Sequence, residues 1–185
     1  PNFLLTREWL VTNGLGGYAS GTIAGVATRR FHGFLIAALP APLGRTMMFN
    51  RLIEQLRMPD GTAIGLCGDE CAPNTPYTAI ENYLSEFRLE NGLPVWCYEV
   101  QGIRLQKLVL MPHRQNTVHI KYKLLSGTDP VNLELSPAIH FRPHEGKVSD
   151  PLSGPFALSI VEDRYEIRGP EVYPPLRLKL VGEGA

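Results

Sequence analysis

Between Asn116 and Leu125, Val118, Ile120, Tyr122 and Leu124 share one parity while His119, Lys121 and Lys123 take the other. That period of two is the pattern of a strand with one face in a core and one in water. Val131, Leu133 and Leu135 repeat it, as do Leu176, Leu178 and Leu180 against Arg177 and Lys179. Residues 94–100 and Ile103–Leu110 flank Gln101-Gly102, a two-residue connection containing glycine that turns one strand back on the other as a hairpin. Shorter apolar runs at 34–39, 47–56, 156–161 and 165–167 predict further strands.

Helical periodicity is scarce, and the 18 glycines and 16 prolines are spread so that they punctuate these runs. Many strands without intervening helices predict an all-β fold, a large antiparallel β-sandwich rather than a parallel α/β sheet. Residues 1–185 form one domain, or most of one, in this reading. The Ser149–Pro155 stretch is loop-like in composition and divides strands, not domains. The last strand-like run is followed by Gly182-Glu183-Gly184-Ala185, which offers no cap for a sheet edge, so the sandwich is expected either to close before this point or to find partner strands outside the chain.

Charge narrows the partners. Eighteen basic and 18 acidic residues cancel, which removes the electrostatic argument for nucleic acid or an anionic membrane surface. No window is long and apolar enough for a membrane span, and the start lacks the basic and apolar regions of a signal peptide, so a soluble cytoplasmic protein is expected. Cys67, Cys71 and Cys97 have no paired metal-ligand spacing and read as ordinary thiols in a reducing compartment.

The densest concentration of unusual residues runs from Glu8 to Thr22, EWLVTNGLGGYASGT, and continues at Thr28–Gly33, TRRFHG. Gly14-Leu15-Gly16-Gly17-Tyr18-Ala19 formally satisfies the dinucleotide fingerprint G-x-G-x-x-A. Its context opposes nucleotide binding: the following Ser20–Val26 segment holds two more glycines and two β-branched residues where a phosphate-binding helix would have to begin, and no acid follows about twenty residues on. The whole phrase closely resembles the opening of bacterial and archaeal-type glycogen debranching enzymes, and residues 84–89, 96–100 and 124–127 fall where that family has comparable residues.

The resemblance implies an amino-terminal supersandwich, of the general architecture of galactose mutarotase, preceding a catalytic barrel of paired helices that carries the hydrolytic carboxylates. It further implies an α-glucan substrate, with the parent enzyme hydrolysing α-1,6-linked glucose, and it makes the carboxy-terminal barrel the partner of this domain. No catalytic residue, metal or cofactor is expected in this chain. Acids such as Asp69-Glu70, Glu134, Glu162, Asp163 and Glu166 read as solvated, and Pro143 opposes a helix that would align His140 with His144 for a metal. Sugar recognition needs flat apolar faces and groups for bidentate hydrogen bonds, for which Trp9, Asn13, Tyr18, Arg29, Arg30 and His32 are the candidates. The same residues also suit core packing or contact with the barrel, and both readings stand at this point. The alternatives to an accessory domain are a free-standing glucan-binding module and a self-sufficient sugar epimerase.

Overall fold

The computed structural model describes residues 3–68, 78–127, 131–152 and 154–182. Asp69, Glu70 and Cys71 lie outside the described residues, as do Glu183 to Ala185. Two short helices, α1 (Phe3–Thr6) and α2 (Thr78–Tyr83), accompany fifteen strands among the described residues. In chain order these are β1 (Glu8–Thr12), β2 (Tyr18–Thr22), β3 (Gly33–Ala38), β4 (Arg45–Phe49), β5 (Arg51–Arg57), β6 (Ala63–Gly65) and β7 (Leu84–Glu90). They continue as β8 (Leu93–Val100), β9 (Ile103–Leu110), β10 (His119–Ser126), β11 (Asn132–Ala138), β12 (Arg142–Pro143), β13 (Ala157–Val161), β14 (Arg164–Arg168) and β15 (Leu176–Leu178).

All strand pairs are antiparallel. A five-stranded sheet runs β1-β2-β3-β4-β12, a four-stranded sheet β10-β9-β8-β7, and two three-stranded sheets run β11-β5-β6 and β13-β14-β15. The architecture is the all-β sandwich that the alternation predicts. Gln101 and Gly102 both take positive φ, 48° and 82°, and set Val100 opposite Ile103, so the expected hairpin forms with its expected two-residue turn. The 47–56 run behaves differently: it breaks at Asn50 into β4 and β5, which belong to different sheets, and the Asn50 amide donates to the Ala138 carbonyl at the end of the β5–β11 ladder. Such a corner is how one chain feeds two packed sheets.

The five- and four-stranded sheets meet through aromatic side chains. Trp9 on β1 stands edge-on to Trp96 on β8, with centroids 5.4 Å apart, and Phe34 on β3 packs 5.9 Å from Trp9. Both indoles reach an acceptor, Trp9 Nε1 the Thr22 carbonyl at 3.2 Å and Trp96 Nε1 the Ile23 carbonyl at 2.9 Å, so burying these large rings leaves no N–H stranded.

Inside this apolar volume lies a charge pair. On β5, Leu52, Glu54 and Leu56 all point inward, and on β9 Ile103, Leu105, Lys107 and Val109 do the same. Lys107 Nζ donates to Glu54 Oε2 at 2.7 Å, the Tyr122 hydroxyl from β10 donates to Glu54 Oε1, and the ammonium sits 5.0 Å from the Phe34 ring centre and 5.1 Å from that of Trp96. Burial, with the Glu54 charge beside it, holds the Tyr122 phenol well above its ordinary pKa, so it remains a donor. Removing one partner strands the other charge in a low-dielectric interior. Glu54→Gln or Lys107→Met is therefore expected to cost about 3–5 kcal/mol of unfolding free energy in urea denaturation, whereas Glu54→Leu combined with Lys107→Met costs less than the sum of the two single changes.

The β13-β14-β15 sheet is two-sided. Leu158, Ile167 and Leu176 stand in register, as do Ile160, Tyr165 and Leu178, giving one wholly apolar face. The other face carries Glu166, buried between Arg177 at 3.0 Å and Arg168, and the hydrogen bond from Arg177, reinforced by Arg168, lowers its carboxyl pKa. Leu176 reaches the core, but Leu158 and Ile160 remain 67% and 72% exposed.

Candidate functional site

The glycine-rich phrase folds as a β-hairpin. Tyr18–Thr22 is a strand, not the helix that a nucleotide fingerprint requires, so the phosphate-binding reading has no structural basis. The 13–17 turn is organised by one side chain. Asn13 Oδ1 accepts the amides of Leu15 at 2.9 Å and Gly17 at 3.0 Å, while Nδ2 donates to the Gln115 carbonyl at 3.0 Å and to Asn116 Oδ1 at 3.1 Å. Asn116 then pairs with Ala38 like a strand neighbour, accepting its amide and donating to its carbonyl, both at 2.8 Å. Three chain segments converge on two amides, and every polar atom of the Asn13 side chain is used. Gly17 is required by close approach: a β-carbon there would lie 2.6 Å from Asn13 Nδ2 and 3.0 Å from the Ile36 carbonyl oxygen.

The six candidate residues separate into three places. Trp9 and Asn13 face inward, Trp9 into the aromatic core and Asn13, fully buried, into the turn. Neither presents a free face to a ligand. Arg29 and His32 converge on Glu8: Arg29 Nε donates to Glu8 Oε1, and His32 Nε2 stands 3.5 Å from the same oxygen. His32 is buried and borders a small, mostly apolar pocket of about 30 Å³ whose wall also includes Arg51, Glu54 and Lys107 among aromatic and aliphatic side chains such as Trp9, Phe34 and Trp96.

Tyr18 and Arg30 reach the outer surface together. The half-buried Tyr18 donates its hydroxyl to the Phe31 carbonyl at 3.3 Å, and burial raises its phenol pKa against the opposing pull of Arg45 and Arg142, with Glu145 also acting on it. Beside it Arg45 Nε donates to the Gly16 carbonyl at 2.8 Å, and the Phe31 ring is 37% exposed. Arg30 projects an exposed side chain, while its backbone carbonyl is held by Arg142 Nη2. The result is a strip of two aromatic rings and several guanidinium groups on the rim of the five-stranded sheet, suited to stacking and to hydrogen bonds with hydroxyl-rich ligands.

Arg142 is the organiser that sequence reasoning passes over. Buried at the end of the short β12 strand, it donates from Nη1 to the carbonyls of Pro143, His144 and Gly146, at 3.2, 3.2 and 3.0 Å, and from Nη2 to Arg30. It thereby joins the two loops that frame the strip. Among the described residues no group of three histidines, cysteines, aspartates or glutamates is placed to hold a metal, and Cys67 and Cys97 are free thiols. A second, larger groove of about 490 Å³ lies between the sandwich and the apolar face of the β13-β14-β15 sheet, lined by aliphatic side chains such as Leu35, Leu52, Leu135 and Leu178 with Asn116, Arg177 and Lys179 among them. Its aliphatic lining contrasts with the aromatic and guanidinium character of the strip.

These features define a β-sandwich domain whose distinctive amino-terminal phrase is mostly architectural and whose exposed rim is aromatic and basic. The chain belongs to the glycogen debranching enzyme N terminal family, whose model matches residues 7–185. No curated protein and no solved structure matches the chain.

Asn13→Ala leaves the Gly17 amide and the Asn116 carboxamide short of buried partners. It is expected to lower unfolding free energy by about 2–3 kcal/mol in chemical denaturation. Arg30→Ala removes an exposed side chain and keeps the carbonyl that Arg142 uses, so it is expected to change stability by no more than about 0.5 kcal/mol.

Proposed function

We propose that this chain is the non-catalytic amino-terminal domain of a cytoplasmic debranching hydrolase acting on α-1,6-linked branches of glycogen or a related glucan. It supports the catalytic helical barrel of the parent enzyme and helps to position the branched chain. The observation that carries this reading is family membership over residues 7–185 together with the commitment of its buried acids to ion pairs. Glycoside hydrolysis needs an acid and a base or nucleophile about 5–10 Å apart across an open cleft. Glu54 is sealed in the core by Lys107 and Tyr122, Glu166 is held by Arg168 and Arg177, and Glu145 is the carboxylate acting on Tyr18 in the strip.

The strip supplies the glucan-facing part of the proposal. Pyranose rings stack on aromatic faces such as Tyr18 and Phe31, and hydroxyls accept from arginine. The free thiols of Cys67 and Cys97 fit a reducing compartment, and no helix among the described residues is long and apolar enough to cross a membrane.

The purified chain is expected to release no glucose from branched dextrins. Glucose release that scales with its concentration would overturn the non-catalytic assignment. In the parent enzyme, Tyr18→Ala with Arg30→Ala is expected to raise KM for branched glucan about fivefold, the equivalent of about 1 kcal/mol of lost binding, and to leave kcat unchanged. Tight calorimetric binding of maltooligosaccharides to the isolated chain, abolished by the same substitutions, would favour a self-standing glucan-binding module instead.

A further inference from the structure

Exposed edge strands invite pairing with another chain, and proteins blunt them with charge, proline or extreme shortness. Every edge strand of five or more residues described here carries such a device except one. β1 has Glu8, β7 has Glu86, Arg88 and Glu90, β10 has Lys121 and Lys123, and β11 has Glu134 and Pro137. The exception is β13, Ala157-Leu158-Ser159-Ile160-Val161, which has no charge, no proline and no glycine, and lies at the edge of the β13-β14-β15 sheet. Its first four residues are all exposed.

We propose that β13 is a self-association edge, pairing antiparallel with β13 of a second copy of this chain across a two-fold axis through Ser159. The two three-stranded sheets then become one of six strands. The strand is self-complementary in that register. Leu158 stands opposite Ile160 of the second copy on the apolar face, Ala157 stands opposite Val161 of the second copy on the other, and Ser159 meets itself at the axis. The apolar face already formed by Leu158, Ile160, Tyr165 and Leu178 continues unbroken across the axis.

Charge favours a second copy over a generic apolar partner. The chain carries 18 basic and 18 acidic residues, so two copies approach without net repulsion. Glu162 and Asp163 follow β13 directly, and antiparallel pairing sends the two acidic ends to opposite sides of the axis, where each lies beside the uncharged Gly154-Pro155-Phe156 approach of its neighbour. Parallel stacking would set the acidic ends side by side. The proposal rests on the composition and pairing of β13 alone and stands independently of the glucan reading.

Sedimentation equilibrium of the 185-residue chain is expected to give a reversible, concentration-dependent monomer–dimer equilibrium. Ile160→Lys brings two lysines onto one face about the axis, so it is expected to weaken dimerisation roughly a hundredfold or more. The circular dichroism spectrum and Tm should be retained, since Ile160 is 72% exposed within one copy. Ser159→Cys tests the axis directly: mild oxidation is expected to yield a covalent dimer reversed by dithiothreitol, whereas Leu10→Cys, at an exposed position on β1, is expected not to. A chain that stays monomeric at every concentration, a dimer indifferent to Ile160→Lys, or equal cross-linking from both cysteine variants would each overturn the proposal.

Discussion

The way three sheets meet depends on one buried cation. Lys107 leaves the four-stranded sheet, takes its counter-charge Glu54 from the β11-β5-β6 sheet, and rests against Phe34 of the five-stranded sheet. A lone ammonium at that depth is prohibitively unfavourable, so the arrangement must bring β5 and β9 to within a hydrogen bond of each other. Purely aliphatic packing would tolerate sliding of one sheet over another. A charge pair bound to a tyrosine hydroxyl and flanked by two rings admits one register. The corner at Asn50, where the chain passes from one sheet to the next, delivers Glu54 to that point four residues later.

The amino-terminal phrase illustrates how residues suited to ligand chemistry divide their duties. Trp9 and Asn13 are fully occupied by the fold, one bridging two sheets and the other tying its own turn to residues 115 and 116. Arg29 and His32 are turned toward Glu8. What reaches solvent is the Tyr18 edge, Phe31 and a set of arginines whose backbone framework Arg142 holds in place. Rigid presentation of this kind is what the proposed glucan contact requires, because a hydroxyl-rich ligand gains little net energy per hydrogen bond and binds well only to donors and rings already in position.

Much of the architecture was legible as alternation. The β8–β9 hairpin could be read because a two-residue connection containing glycine admits few geometries, and β15 because leucine alternates with arginine and lysine around it. β1 and β2 were obscured by glycine-rich composition, since the side chain that shapes their turn draws on partners a hundred residues away. The 47–56 run reads as continuous in sequence because apolar parity says which face is buried and nothing about which sheet receives it. β10 has the predicted polarity, yet Ile120 and Tyr122 are only half-buried and Leu124 is exposed. Glu54 and Lys107 did leave a trace, as charged residues at core parity among leucines, isoleucine and valine. Arg142 left none, because carbonyl acceptors brought together by loop closure carry no side-chain signature.

The Asn13–Asn116 contact spans 103 residues of sequence and has a consequence for the order of events during translation. A hairpin between β1 and β2 could be held by its own ladder as soon as it leaves the ribosome, but its turn lacks two of its hydrogen-bond acceptors until residues 115 and 116 have emerged. Docking of residues 115 and 116 is thus the long-range step that completes the turn and makes a local hairpin a fixed part of the sandwich.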